Sequence, residues 1–152
     1  MDTSRLSRSE YLAVGGAVLL VIAIFLPWYE TAAGNAAANI DGATGSLSAW
    51  DVHPILRWVL LLLALIPLLL AWIIVRGQEV GWTRGEITAV LAIFGLGLLL
   101  YVGVIDRPGE PSEQISLQIG WYLAVVADLL ILAGGIRRSG ETTRRRRPPG
   151  TF

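Results

Sequence analysis

Residues 59–70 read VLLLLALIPLLL, twelve in a row without a polar side chain. A helix on the surface of a water-soluble domain needs a polar stripe at a spacing of 3.6, and this run offers none. It lies inside a longer apolar run, 55–75, and three others resemble it: 11–27, 87–105 and 117–136. At a rise of about 1.5 Å per residue, each matches a hydrocarbon core of roughly 30 Å. Only 16% of residues are charged, well below the roughly 25% of soluble domains. The chain therefore reads as an all-α integral membrane protein with a transmembrane domain over 11–136. The turn 76–86 is short enough to make spans two and three antiparallel neighbours. An antiparallel, up-down-up-down four-helix bundle is the simplest arrangement.

Charge placement orients the bundle. All twelve basic residues are Arg, a bias of GC-rich coding that suggests a bacterial source. Arg5, Arg8, Arg76, Arg84, Arg137, Arg138 and Arg144 to Arg147 fall on one side, and only Arg57 and Arg107 on the other. The positive-inside rule then puts both termini in the cytoplasm of a cell-membrane protein, with loops 28–54 and 106–116 outside. Aromatics give the same map independently. Trp28, Trp50, Trp58 and Trp121 fall at the outer boundary, Trp72, Trp82 and Tyr11 at the inner one. The opening segment 1–10 followed by an apolar run also has the outline of a signal peptide. However, Pro27-Trp28-Tyr29-Glu30 separates that run from the small residues of NAAAN, so the first span is expected to be retained.

The first outer loop is small, polar and free of Lys and Arg between its tryptophans. Its Asp41-Gly42 pair is a strong two-residue hairpin signal. It predicts strands at 35–40 and 43–48, a small extracytoplasmic β-hairpin pinned to the bundle rim by Trp28 and Trp50. Trp28, Tyr29, Asp41, Gly42 and Trp50 are then the candidate interaction surface. Four spans, a longer first loop and tryptophans at its two ends together resemble the claudin-type membrane proteins. Trp28 matches the early Trp of that family's loop, and Trp50 in SLSAW the last residue of its Gly-Leu-Trp. Gly-Leu and the family's cysteine pair are missing. That resemblance implies a small extracellular sheet and lateral or cell–cell contacts. The LPWY…SAW framing is similar to small four-span bacterial membrane proteins, for which no activity is implied.

Asp128 is the one acid expected at mid-membrane. On the insertion scale a central Asp costs about 2.5–3.5 kcal/mol, and each Leu, Ile or Val returns about 0.3–0.6. The seven such residues from Leu123 to Leu132 roughly cancel it. Gly120, Ala124 and Asp128 repeat at intervals of four, with Gly135 continuing the stripe. Small residues admit a neighbouring backbone, so this face belongs to helix packing. Asp128 is either a proton- or cation-linked site or a protonated carboxyl hydrogen-bonded within a helix interface. Pro67, Gly95 and Gly97 suit close packing as well as a hinge.

No catalytic motif appears, and enzyme activity is not expected. Cysteine is absent. His53, the sole histidine, with Asp51 and Glu30 does not make a metal-ligand pattern, so no cofactor or metal is expected. Arg57 is expected to snorkel or to pair with Asp51 or Asp106. The tail 137–152 reads as disordered and cytoplasmic. Its Arg144, Arg145, Arg146 and Arg147 would anchor topology or dock on anionic lipids, which leaves no need for nucleic acid as a partner. The expected role is non-enzymatic: a scaffold or accessory subunit working by protein–protein contact, as a homo-oligomer or with another membrane protein. The alternative is an oligomeric channel or transporter that uses Asp128.

Overall fold

A computed structural model describes residues 6–35, 37–77 and 84–146. Its long elements are α1 (Arg8–Phe25), α3 (Leu56–Val75), α4 (Arg84–Leu100) and α5 (Ile119–Arg146). A single helical turn, α2 (Ala49–Val52), precedes α3. Three short strands complete the chain: β1 (Pro27–Thr31), β2 (Ser46–Ser48) and β3 (Ile115–Leu117). Four segments are long and apolar enough to cross a membrane: Arg8–Phe25, Leu56–Val75, Gly85–Ile105 and Ile119–Gly140.

Each helix starts and stops for local reasons. Ser7 caps α1 in a capping box: its side chain accepts from Glu10 N, and Glu10 Oε2 accepts from Ser7 N at 2.7 Å. Pro27 follows directly after the C-cap of α1 and cannot extend it. Ser48 and Asp51 make the same reciprocal cap on α2. Past Leu100 the last turn of α4 widens into a π-helical segment, Tyr101–Ile105.

Helix α5 is the axis of the molecule. It packs most extensively on α1 and α4, α1 packs also on α3, and the α3–α4 contact is the smallest of the four. Glycines set that order. A Cβ on Gly16 would lie 2.6 Å from Ala127 O, and one on Gly135 would lie 2.7 Å from Ala89 N. The backbones of α1, α5 and α4 are thus in direct contact, as small residues at helix crossings allow. Helix α3 has bulkier contacts, through Leu60, Leu63, Ala64 and Pro67, and buries no residue beyond Pro67. The expected spans-two-and-three pair is therefore the weakest neighbour contact of the bundle.

The sheet sits at the end of the bundle where α1 and α4 finish and α3 and α5 begin, here the sheet end. The opposite end, with the α3–α4 connection, is the turn end. Strand order is β2-β1-β3, antiparallel throughout. This corrects the expected hairpin. The Asp41-Gly42 turn is present, with φ of 50° and 82° and two hydrogen bonds of 2.9 Å between Ile40 and Ala43. It closes only that one bridge. The described residues of the expected strand 35–40 form no strand, because Ala and Asn suit strands poorly and the Asn side chains bond local backbone: Asn35 Oδ1 takes Ala37 N and Asn39 Oδ1 takes Gly42 N. The strands are PWYET, SLS and ISL: β2 lies within the expected strand 43–48 but pairs with β1 instead of 35–40, and β3 comes from the second loop.

A second correction concerns the C-terminal segment. Residues 137–146 continue α5 as helix to Arg146 rather than forming part of a disordered tail. Arg is a good helix former, and the charge run that suggests disorder leaves that propensity intact. Arg147, like Arg5, Trp82 and the rest of 147–152, lies outside the described residues.

Candidate functional site

The sheet end is built on buried aromatics. Trp28 and Tyr29, adjacent on β1, are both 0% exposed. Regular strand alternation would turn one of them outward; the bulge between Pro27 and Tyr29 in the pairing with β2 lets both be buried, their rings 6.3 Å apart and both against His53. Trp28 Nε1 donates to Ala23 O at 2.7 Å, closing the last turn of α1. Gly120 exists as glycine because Trp28 and the Pro27 and Leu26 carbonyls occupy the place of a Cβ. Two of the five residues expected on the interaction surface, Trp28 and Tyr29, are thus core residues. A boundary-level aromatic has the same sequence signature whether it faces lipid, water or a cap above it.

The π-helical segment supplies acceptors to this cap. Asp106 N bonds Tyr101 O at 2.8 Å, so the Val102 carbonyl loses the donor an α-helix would give it. Tyr29 Oη donates to that carbonyl at 3.2 Å. His53 Nε2 lies 2.9 Å from the same hydroxyl. With the phenol proton on Val102 O, the imidazole carries its proton on Nε2 and donates. Burial holds the His53 pKa down to about 4 and pushes the Tyr29 hydroxyl above its ordinary value, with Arg107 working against the latter rise. Two more side chains use carbonyls near the end of α4. Trp121 Nε1 donates to Leu99 O at 2.9 Å. Arg107 donates to Gly103 O through Nε and Nη2, and to Ile115 O at 2.8 Å. Sequence reasoning placed Arg107 only on the outer side and assigned nothing to Val102 or Ile115. The Gly103 and Arg107 spacing hints at a helix end but not at a π turn.

Outside this core lies a cationic and aromatic edge. Trp50 stacks on Phe25 with centroids 5.0 Å apart and meets Trp58 edge-on at 5.5 Å. Arg57 places its guanidinium 4.7 Å from the Trp50 ring centroid and donates to Trp50 O at 2.8 Å. Trp50 and Trp58 are the rings it lies against, and its charge also acts on the Asp51 carboxylate. Hydrogen bonds from Ser48 hold the Asp51 carboxyl below its ordinary pKa. Asp41 and Gly42 are exposed on the loop tip, and Trp50 is half-buried. No three His, Cys, Asp or Glu side chains converge among the described residues.

Asp128 is 0% exposed, on the α5 face shared with Gly120, Ala124 and Gly135. Gly95 of α4 faces it: a Cβ there would stand 3.0 Å from Asp128 Oδ1 and collide with Leu63. Neither carboxyl oxygen has a hydrogen-bond partner among the described residues. Among the described residues, none supplies the hydrogen-bond partner expected for a structural carboxyl. Comparison with protein-family models, curated proteins and solved structures returns no match.

Proposed function

We propose that the chain is a multi-pass membrane protein with both ends cytoplasmic, which acts by contact through its extracytoplasmic cap. Its partner is a second copy or another membrane protein. One observation carries the reading: the two connections at the sheet end are woven into a single sheet with Trp28, Tyr29, Ile115 and Trp121 buried. A loop that only connects helices needs no core of its own. A surface held in one conformation binds without an ordering cost. The loop tip at Asp41 and Gly42 and the edge around Trp50 and Trp58 are the parts of this cap left exposed or half-exposed. The orientation rests on Arg8, Arg76, Arg137 and Arg138 at the turn end, against Arg57 and Arg107 at the sheet end.

The test is photo-crosslinking in native membranes from positions 41 and 44, with position 11 at the turn end as control. A discrete adduct from both loop positions, absent from position 11 and retained in Asp128→Asn, is expected. No discrete adduct from either loop position would sink the reading.

A second reading, an oligomeric channel or transporter, is favoured by the unpartnered Asp128 carboxyl alone. Buried ionisable groups in spans are costly and commonly line ion or proton pathways. Proton flux in liposomes that disappears in Asp128→Asn would put this reading first. Flux no higher than in empty vesicles would remove it.

A further inference from the structure

At the turn end, α3 parts from the bundle past Pro67 and leaves a cleft. It bounds about 340 Å³ of empty space, part of it open to the surroundings. Gly85, Thr88 and Gly135 line its α4 and α5 sides, and Pro67, Ala71 and Ile74 its α3 wall. The deep end carries an acceptor that the helix itself cannot satisfy. Pro67 has no N–H, so the Leu63 carbonyl, four residues before it and directed towards it, lacks its helical donor. In membrane helices such freed carbonyls are met by neighbouring side chains or by ordered water.

Leu63 is also a neighbour of the Asp128 site. A Cβ on Gly95 would collide with the Leu63 side chain and stand 3.0 Å from Asp128 Oδ1, so α3, α4 and α5 meet at one level. That level is one turn, about 6 Å, from Pro67. Asp128 is fully buried, and neither of its oxygens has a hydrogen-bond partner among the described residues. Towards the sheet end the way is closed. Leu60, Leu99 and Ala124 are fully buried, Trp121 Nε1 bonds Leu99 O, and the cap lies beyond. Towards the turn end the packing is thinner. The buried side chains of α3 and α4 below Leu63 and Gly95 are alanines, Ala64 and Ala92, before Pro67 and Thr88 line the cleft. Ile131 of α5 turns to α1 at Gly16.

We propose that the cleft carries a short thread of water ending on Asp128, which makes this carboxyl a proton-binding site open to the turn end alone. The inference rests on the membrane reading of the four helices, and on neither the contact function nor flux. A buried water needs roughly two to four polar partners, and Leu63 O, the Thr88 hydroxyl and the Asp128 carboxyl are polar groups on this route. The proton leaves a carboxyl oxygen for the adjacent water and passes out by Thr88; uptake runs the reverse way. No other titratable group competes at that depth. Asp128 is the one ionisable side chain in 12–26, 58–75, 87–100 and 123–136, so α1, α3 and α4 face it with none. The nearest charges on the route are at the mouth, where Glu10 pairs with Arg138 at 3.3 Å. Arg8, Arg76 and Arg137 lie on the turn-end surface. Conduction would need the sheet-end side open as well, which the packing there opposes.

The chain has no cysteine, so a thiol introduced at position 128 reports alone. Asp128→Cys is placed in right-side-out and inverted membrane vesicles, and silver ion is added outside. The surviving thiol is counted after unfolding. Asp41→Cys and Arg137→Cys, labelled with an impermeant maleimide, tell which end faces out. Silver is expected to block position 128 roughly tenfold faster from the turn end, the ratio given by a difference of about 1.4 kcal/mol in opening. Pro67→Ala restores a donor to Leu63 O and should slow the turn-end reaction severalfold, as should Ala71→Phe, which fills the cleft. Circular dichroism checks that both keep their helix. Equal rates from the two ends, a faster reaction from the sheet end, or none from either would overturn the proposal. So would a turn-end rate that neither change slows. In the otherwise unaltered protein, the infrared band of a protonated carboxyl that disappears in Asp128→Asn should follow the pH of the turn-end side only. A band that follows the other side, both sides or neither would also overturn it. Labelling of positions 41 and 137 from the same side would instead overturn the membrane reading itself.

Discussion

The two ends of the bundle are held by different physics. At the sheet end, side chains reach across to backbone carbonyls. Trp28 ties to Ala23, Trp121 to Leu99, Tyr29 to Val102 and Arg107 to Gly103 and Ile115. At the turn end the helices are held by close approach, with Gly85, Gly134 and Gly135 bringing backbones of α1, α4 and α5 together. Hydrogen bonds to specific acceptors suit an irregular cap that must keep one conformation. Glycine contacts suit long apolar rods, which share no hydrophobic drive to associate once surrounded by lipid. Helix α3, with the fewest small contact residues, is the helix that parts.

That contrast predicts different sensitivities. The largest effect is expected at the sheet end from Trp28→Ala, a loss of about 3–5 kcal/mol for a fully buried indole. It should appear as early unfolding of the cap in amide hydrogen exchange of residues 28–31 and 115–118. If α1 and α4 amides open equally early, the two ends are not separable. Next comes a matched pair at the turn end. A Cβ at Gly134 would lie 2.7 Å from Ser9 O and 2.8 Å from Ala13 N, whereas Gly140 has nothing within 4 Å. Gly134→Leu should cost about 3 kcal/mol, and Gly140→Leu should be neutral or slightly stabilising, since glycine is a poor helix former. Thermal melts in detergent decide it, and equal melting of the two variants would dismiss close approach as the cause.

Tyr29→Phe keeps the ring and removes only the hydroxyl. It orphans the Val102 carbonyl and the His53 N–H, for an expected loss of about 1–3 kcal/mol. The same change at exposed Tyr122 should do little. A pH dependence is expected as well. Burial lowers the His53 pKa from 6.5 to about 4, so between these values the unfolded chain binds the extra proton. Stability from this group is complete above about pH 6.5 and is lost as pH falls towards 4. Melting temperature should fall over that window in the unaltered protein and fall less in His53→Gln. Identical slopes would exclude His53 as the source.

The helices were legible because a run such as 59–70 has one physical explanation. So was the turn at Asp41 and Gly42, where two positive φ values in succession select those residue types. The identity of the strands was not. β1 pairs with β3 across more than eighty residues, as Tyr29 with Leu117 and Thr31 with Ile115, and a three-residue strand leaves no periodic pattern to read. Trp28 and Tyr29 looked like surface residues because an interfacial aromatic and a buried one at the same depth share a composition. Asp128 stood out by its charge alone. The Gly95 opposite it could have been read as its neighbour only once α4 and α5 were aligned. The cleft beside Pro67 depends on where α3 departs from its neighbours, which is a property of four helices together and of no single segment.

Helix α5 runs 28 residues without a break, about 42 Å at the usual rise, against a hydrocarbon layer of roughly 30 Å. It begins beneath the sheet, where Trp121 is bonded to α4, and ends among arginines. Mechanically this is a single rod gripped by α1 and α4 from Trp121 to Ser139. A tilt or rotation imposed at the arginine end is not absorbed by a joint along the way. It arrives at Gly120 and Trp121, and so at the footing of the cap on the opposite face.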